Sequence, residues 1–272
     1  MISSSSIDIH IADPAVAVGA AADNWLALLD PAERARCDRF KVEGARREYL
    51  TGRALVRSTL SRYAAIAPAD WRFEANQYGR PAIAPEQAAK APGLVFNLSH
   101  TRGLVALAVG RDCELGLDIE WIDRQSRLAE LCTRYFAPDE TAHVRAAEGE
   151  ELTERFFAFW TLGEAYIKAR GMGLALPLDG FAYDITHEPP TIRFEPSCPD
   201  DPARWRFLRR PVGDRHRLAL AVASLEPDIR VRFQWAEALM RGDEGDRGVK
   251  DRAGIRIPGE VVLLRGEGRH AS

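Results

Sequence analysis

The chain has 272 residues, of which 46% are hydrophobic and 28% charged, with a formal net charge of −3. That composition supplies one large core or two smaller ones without disulfide or metal staples. The nearly balanced charge argues against a general nucleic-acid or polyanion binder.

Cys37, Cys113, Cys132 and Cys198 lie far apart in the chain. With no Cys-x-x-Cys pair, they fit reduced thiols better than a disulfide framework or a zinc site. The opening MISSSSIDIHIAD lacks a basic segment followed by an apolar run, and no stretch approaches membrane-spanning length. The expectation is a soluble cytoplasmic protein with no signal peptide and no membrane partner.

In chain order, Ile7 to Ile11 alternates apolar and polar residues, as a short strand does. Ala20 to Leu29 reads as a helix, and Asp30-Pro31 opens the next with an N-cap and a proline at its first position. A longer helix is expected over 44–65, apolar at Tyr49, Leu50, Ala54, Leu55 and Leu60 and rich in arginine elsewhere. A strand at 70–75, a turn at Tyr78-Gly79-Arg80-Pro81 and a short strand at 82–83 follow. Three apolar runs at 94–98, 104–109 and 115–121 are joined by short links, which predicts an antiparallel meander. Helices return from Arg127, and β-like runs recur at 181–185, 191–194, 204–208, 218–222 and 229–234.

The order helices, meander, helices, meander predicts an α+β chain of two similar halves. The boundaries expected are 1–114, 115–240 and a mobile tail 241–272, in which 259–264 could add an edge strand.

Four stretches could carry chemistry. In Leu115-Gly116-Leu117-Asp118-Ile119-Glu120-Trp121, strand alternation puts Asp118 and Glu120 on one face, with Gly116 leaving space beside them. Two carboxylates on one face of an otherwise apolar strand are costly to leave unpaired, and a divalent cation such as Mg²⁺ resolves the repulsion. The plainer alternative is a solvated strand face.

Phe96-Asn97-Leu98-Ser99-His100-Thr101 places Ser99 and His100 just past an expected strand end. Neighbouring side chains on an extended chain point apart, so this pair does not form a hydrolase dyad. Gly79-Arg80-Pro81 alone is a turn. Arg34, Arg36, Arg46, Arg47 and Arg53 gain meaning only if a phosphate-rich ligand is held.

The last stretch runs from Phe156 to Leu178, FFAFWTLGEAYIKARGMGLALPL. It reads as a helix buried over much of its circumference and closed by Gly171 and Gly173. Glu164 and Lys168, at i and i+4, share a face, either as a surface ion pair or as site residues.

GRPAI at 79–83, FNLSHT at 96–101, LGLDIE at 115–120 and WTLGEAYIKARGMGL at 160–174 resemble, in order and spacing, the motifs of 4'-phosphopantetheinyl transferases. The longer, monomeric class that primes nonribosomal peptide and polyketide synthases is the match, and REYLTGRALVR at 48–57 fits it too.

The resemblance implies a pseudo-dimer of two α+β halves, each with a mainly antiparallel sheet packed on helices, and coenzyme A between them. It implies transfer of the phosphopantetheine arm to a serine of an apo acyl or peptidyl carrier protein, releasing adenosine 3',5'-bisphosphate, with Mg²⁺ as cofactor. Asp118, Glu120 and Glu164 match the metal positions. Glu164 and Lys168 match the catalytic positions, with Lys168 also on the pyrophosphate. Arg53, Arg80, Pro81, Ser99 and His100 match coenzyme A contacts, with Arg36 and Arg46 on the same rim. An acidic carrier could be received by the basic helices at 34–62.

The chain departs from the family at Gly163, where the motif usually carries Lys before the Glu. That leaves a second possibility, a relative that binds coenzyme A with weakened or no transfer. An unrelated Mg²⁺-dependent phosphoesterase is the reading that the carboxylates alone allow.

Overall fold

A computed structural model describes residues 2–122, 128–177, 179–236 and 261–265. The expected tail therefore lies outside the described residues over 241–260 and 266–272. The mixed α+β class is as expected.

Four layers stack as helices, sheet, sheet, helices. The first sheet has the order β12-β11-β1-β5-β4, with β1 at Ser6–Ala12, β4 at Leu94–Thr101, β5 at Leu104–Arg111, β11 at Asp228–Trp235 and β12 at Val261–Arg265. The second has the order β6-β10-β9, with β6 at Glu114–Trp121, β9 at Trp205–Val212 and β10 at His216–Ala223. Two hairpins complete the strands, β2 (Phe73–Ala75) with β3 (Pro81–Ile83) and β7 (Phe181–Asp184) with β8 (Thr191–Phe194).

Strand alternation gives each sheet two apolar faces. Ile7, Ile9 and Ile11 of β1 meet Leu117, Ile119, Leu218 and Leu220 in the layer between the sheets. Val105, Leu107 and Val109 of β5 face the other way, toward α1 (Gly19–Leu28) and α3 (Glu43–Leu60). The second outer layer holds α4 (Leu128–Tyr135), α5 (Pro138–Arg145) and α6 (Gly149–Arg170), packed on Phe207, Ala219 and Ala221.

The short helix α2 (Pro31–Asp38) is fixed by a capping box in which Asp30 and Glu33 exchange hydrogen bonds. The same two carboxylates face Arg57 of α3, which is fully buried. Its guanidinium also donates to the carbonyls of Pro68, Ala69 and Trp71. A buried guanidinium is tolerated because its donors are met.

Three expectations need correction. The meander breaks after β5: β6 pairs with β10, not with β5, because β1 already occupies the other edge of β5. Asp112, at φ 53, sits in the link that sends the chain into the second sheet. Ser99 and His100 lie inside β4, since its pairing with β5 runs on to Thr101 opposite Leu104 around a turn at Arg102-Gly103. The long helix stops at Leu60, where the Ser61 hydroxyl caps back onto the Arg57 carbonyl. The edge strand foreseen near 259–264 is β12, antiparallel to β11. β11, which the expected boundaries put inside the second half (115–240), and β12 lie in the sheet of the first, with β11 parallel to β1.

Candidate active site

Helix α6 carries the second half of the site. Glu150 and Glu151 occupy its first turn and Lys168 and Arg170 its last, in favourable order for the helix dipole. Gly171 ends it at φ 64.

The helix lies almost backbone to backbone on β6. A Cβ placed at Gly116 would stand 1.9 Å from the Ala165 carbonyl oxygen and 2.5 Å from the Ala169 nitrogen. Only glycine permits this approach, and it brings the helix turn bearing Glu164 and Lys168 over the β6 face bearing Asp118 and Glu120.

Lys168 does not form the ion pair within its own helix that the i, i+4 spacing suggested. Its ammonium donates across to Asp118 Oδ1 at 2.6 Å and to the Ser99 hydroxyl at 2.9 Å. Asp118 is 3% exposed, and its Oδ2 is buried with no hydrogen-bond partner. Glu120 accepts from the Trp160 indole at 3.3 Å and the Thr101 hydroxyl at 3.3 Å.

Burial, followed by the Asp118 charge, raises the pKa of both Glu120 and Glu164. Glu164 makes no hydrogen bond or ion pair among the described residues. Mutual repulsion of this kind marks a site short of positive charge. No three His, Cys, Asp or Glu side chains among the described residues converge tightly enough to hold an ion as they stand. The unpartnered Asp118 oxygen and the all-oxygen donor set nevertheless fit a hard divalent cation.

The outer edge of β6 is gripped at four successive alternate residues. An edge strand turns every second residue's amide and carbonyl away from its sheet. Here Arg80 donates to the Leu115 carbonyl at 2.9 Å. The Asn97 side-chain oxygen accepts from the Leu117 amide at 2.9 Å, Ser99 from Ile119 at 3.2 Å and Thr101 from Trp121 at 3.1 Å. The first half thus seals the open edge of the second with side chains where a backbone ladder would otherwise run.

Arg80 also donates to the Ala169 carbonyl at 2.5 Å, and Asn76 to the Gly171 carbonyl at 2.7 Å. The β2–β3 hairpin, which includes the half-buried Pro81, thereby clamps the end of α6. Asn76, Asn97, Thr101 and Trp160 were not foreseen. The i, i+2, i+4 row of polar residues in β4 was a readable signal for Asn97 and Thr101.

The remaining expected residues stand apart from the carboxylates. Arg36 and Arg53 flank the Tyr49 ring at 5.3 and 5.6 Å, and Arg53 is 3.7 Å from Glu33. Arg46 is half-buried on the first turns of α3. His100 points away from Ser99, 3.8 Å from Glu48 of α3. Partial burial lowers its pKa; Glu48 opposes this, and the charges of Lys168 and Arg53 add to it. The charges of Arg53 and Lys168 thus both reach His100, with the Glu48 carboxylate of α3 beside it.

The model of the 4'-phosphopantetheinyl transferase superfamily matches residues 114–223, and that of the N-terminal part of 4'-phosphopantetheinyl transferases matches 20–111. The chain is 34% identical over 198 residues to the 4'-phosphopantetheinyl transferase HetI of Nostoc, covering 72% of this chain and 79% of that one. It is 30% identical over 207 residues to the transferase Sfp of Bacillus subtilis, covering 76% and 87%. A mouse L-aminoadipate-semialdehyde dehydrogenase-phosphopantetheinyl transferase is 24% identical over 213 residues, 73% and 69% of the two chains. With both halves matched and the motif residues gathered along one helix–strand contact, the chain belongs to the 4'-phosphopantetheinyl transferase superfamily.

Proposed function

We propose that the protein transfers the 4'-phosphopantetheine arm of coenzyme A to a serine hydroxyl of an apo acyl or peptidyl carrier protein, leaving adenosine 3',5'-bisphosphate, with Mg²⁺ as cofactor. The observation that carries this is the buried, unpartnered Asp118 oxygen beside Lys168, Glu120 and Glu164. Asp118, Glu120 and Glu164 would hold the cation, which would supply charge stabilisation to the coenzyme A pyrophosphate as adenosine 3',5'-bisphosphate leaves.

The chain's own contribution is positioning and fixed charge, the main resources of phosphoryl chemistry. Lys168 is 29% exposed, on a stem anchored by α6, so its ammonium can serve a phosphate oxygen as well as Asp118. Arg36, Arg46 and Arg53 would supply positive charge suited to the 3'-phosphate end, with His100, Arg80 and Pro81 in the adjoining wall. Glu164, with no competing partner among the described residues, is the candidate to accept the serine proton. We further propose a cytoplasmic monomer whose basic α2–α3 face receives an acidic carrier.

The test is incubation with coenzyme A, Mg²⁺ and an apo carrier, followed by mass spectrometry of the carrier. A gain of one phosphopantetheine mass supports transfer. Gly163 favours a second reading, a coenzyme A-binding relative with weak or no transfer, for which tight binding without that gain would speak. Breakdown of coenzyme A without carrier labelling would overturn both.

A further inference from the structure

Ser99 was expected to contact coenzyme A, and its hydrogen bonding points elsewhere. A hydroxyl offers one proton and two lone pairs. Ser99 gives its proton to Asp118 Oδ1 at 3.1 Å, and accepts from the Ile119 amide at 3.2 Å and from Lys168 at 2.9 Å. At 4% exposure it has no capacity left for a phosphate oxygen. Thr101 repeats the pattern one step along: it accepts from the Trp121 amide at 3.1 Å and donates to Glu120 Oε2 at 3.3 Å.

One hydroxyl of β4 therefore serves each of Asp118 and Glu120. Both hydroxyls are themselves pinned by backbone amides of β6. Asp118 and Glu120, on the second half, are thus oriented by the first half. Each carboxylate has one oxygen fixed by a β4 hydroxyl, and Asp118 keeps its other oxygen without a partner.

We propose that Ser99 and Thr101 are positioning residues that set the rotamers of Asp118 and Glu120 for a divalent cation, rather than ligand contacts. This rests on the cation site proposed above. Groups that orient metal-binding side chains typically contribute ten- to hundredfold to metal affinity.

The probe is Mn²⁺, titrated into the full chain at saturating coenzyme A and followed by electron paramagnetic resonance. Coenzyme A affinity is measured separately in chelator by calorimetry. Ser99→Ala and Thr101→Val are each expected to weaken Mn²⁺ binding about ten- to hundredfold, and Thr101→Val to leave metal-free coenzyme A affinity unchanged. Thr101→Ser keeps the hydroxyl and is expected to restore Mn²⁺ binding. That rescue separates orientation from packing, and it keeps the test decisive if Ser99→Ala does not fold.

Wild-type Mn²⁺ affinity in Thr101→Val or in a folded Ser99→Ala, or metal-free coenzyme A affinity lost in Thr101→Val, would overturn the inference while leaving the cation site standing. A wild-type protein that takes up no Mn²⁺ with coenzyme A bound would overturn the cation site, and the inference with it.

Discussion

The seat of α6 on Gly116 can be tested by adding a single methyl group. In Gly116→Ala the new Cβ would lie 1.9 Å from the Ala165 carbonyl oxygen, 2.5 Å from the Ala169 nitrogen and 3.0 Å from the Ala165 carbonyl carbon. All three obstacles are backbone, so no rotamer change relieves them. Restoring ordinary contact requires the helix to retreat by roughly 1.5 Å, and overpacking a tight core costs about 1–3 kcal/mol, at times more. Rigid backbone on the far side argues for the upper end, about 3 kcal/mol.

For a chain of this size that lowers the melting temperature by roughly 6–12 °C. The same retreat stretches the contacts of Lys168 with Asp118 and Ser99, now 2.6 and 2.9 Å. A misplacement of about 1 Å can cost on the order of 100-fold in rate. Thermal melts by circular dichroism and carrier labelling, assayed at a temperature where both proteins are folded, measure the two effects. A Gly116→Ala protein that melts within about 1 °C of wild type and labels at the wild-type rate would refute the reasoning.

Further expectations concern other positions. At Gly163, in the same helix, a Cβ meets only the Phe181 ring, at 4.0 Å; Gly163→Ala should therefore stabilise by about 1 kcal/mol in urea unfolding, and equal or lower stability would count against the geometry. The same space admits the usual family residue, so Gly163→Lys should raise the labelling rate, and an unchanged rate would show that this position does not limit the reaction.

Arg57→Met leaves Asp30, Glu33 and three carbonyls without their shared donor, and should destabilise by about 3–5 kcal/mol; a loss under about 1 kcal/mol would deny the guanidinium its structural role. His10, buried on β1 beside Tyr63 and Gln234, has its pKa lowered by burial to about 4 from 6.5. Its unfolded form binds the proton first, so stability present above pH 6.5 is lost as pH falls toward 4, by up to about 1.4 kcal/mol per unit. His10→Gln should flatten that slope, and an unchanged slope would assign acid sensitivity to other groups.

Much of this was legible in the sequence. Alternation located the strands, and capping residues located the helix ends. Asp118 and Glu120 stood out because carboxylates at i, i+2 in an apolar strand demand a partner. The same logic, applied to Asn97, Ser99 and Thr101, would have marked them as facing something polar. It could not have named the β6 edge, because the register between β4 and β6 is fixed by how two sheets stack and not by any local pattern.

Arg80 shows a related limit. An arginine in a turn looks alike in sequence whether its guanidinium meets a phosphate or two backbone carbonyls. The break in the meander was hidden for another reason: a short link permits antiparallel pairing, but the edge of β5 had already gone to a strand near the N-terminus.

The pairing of β1 with β11 has a consequence for how the protein is made. Arg232 holds Asp8 across 224 positions of chain, so a nascent polypeptide released up to the end of β6 carries β1 with a bare edge. That edge exposes unpaired amides and carbonyls, a template for pairing with the wrong strand. Contacts this distant are also slow to form. Synthesis must pass residue 235 before the first sheet can close, so the N-terminal half is assembled last in part, although it is translated first. Expressed separately as 1–114 and 115–235, the halves should associate by this strand exchange as well as through the β4–β6 contacts.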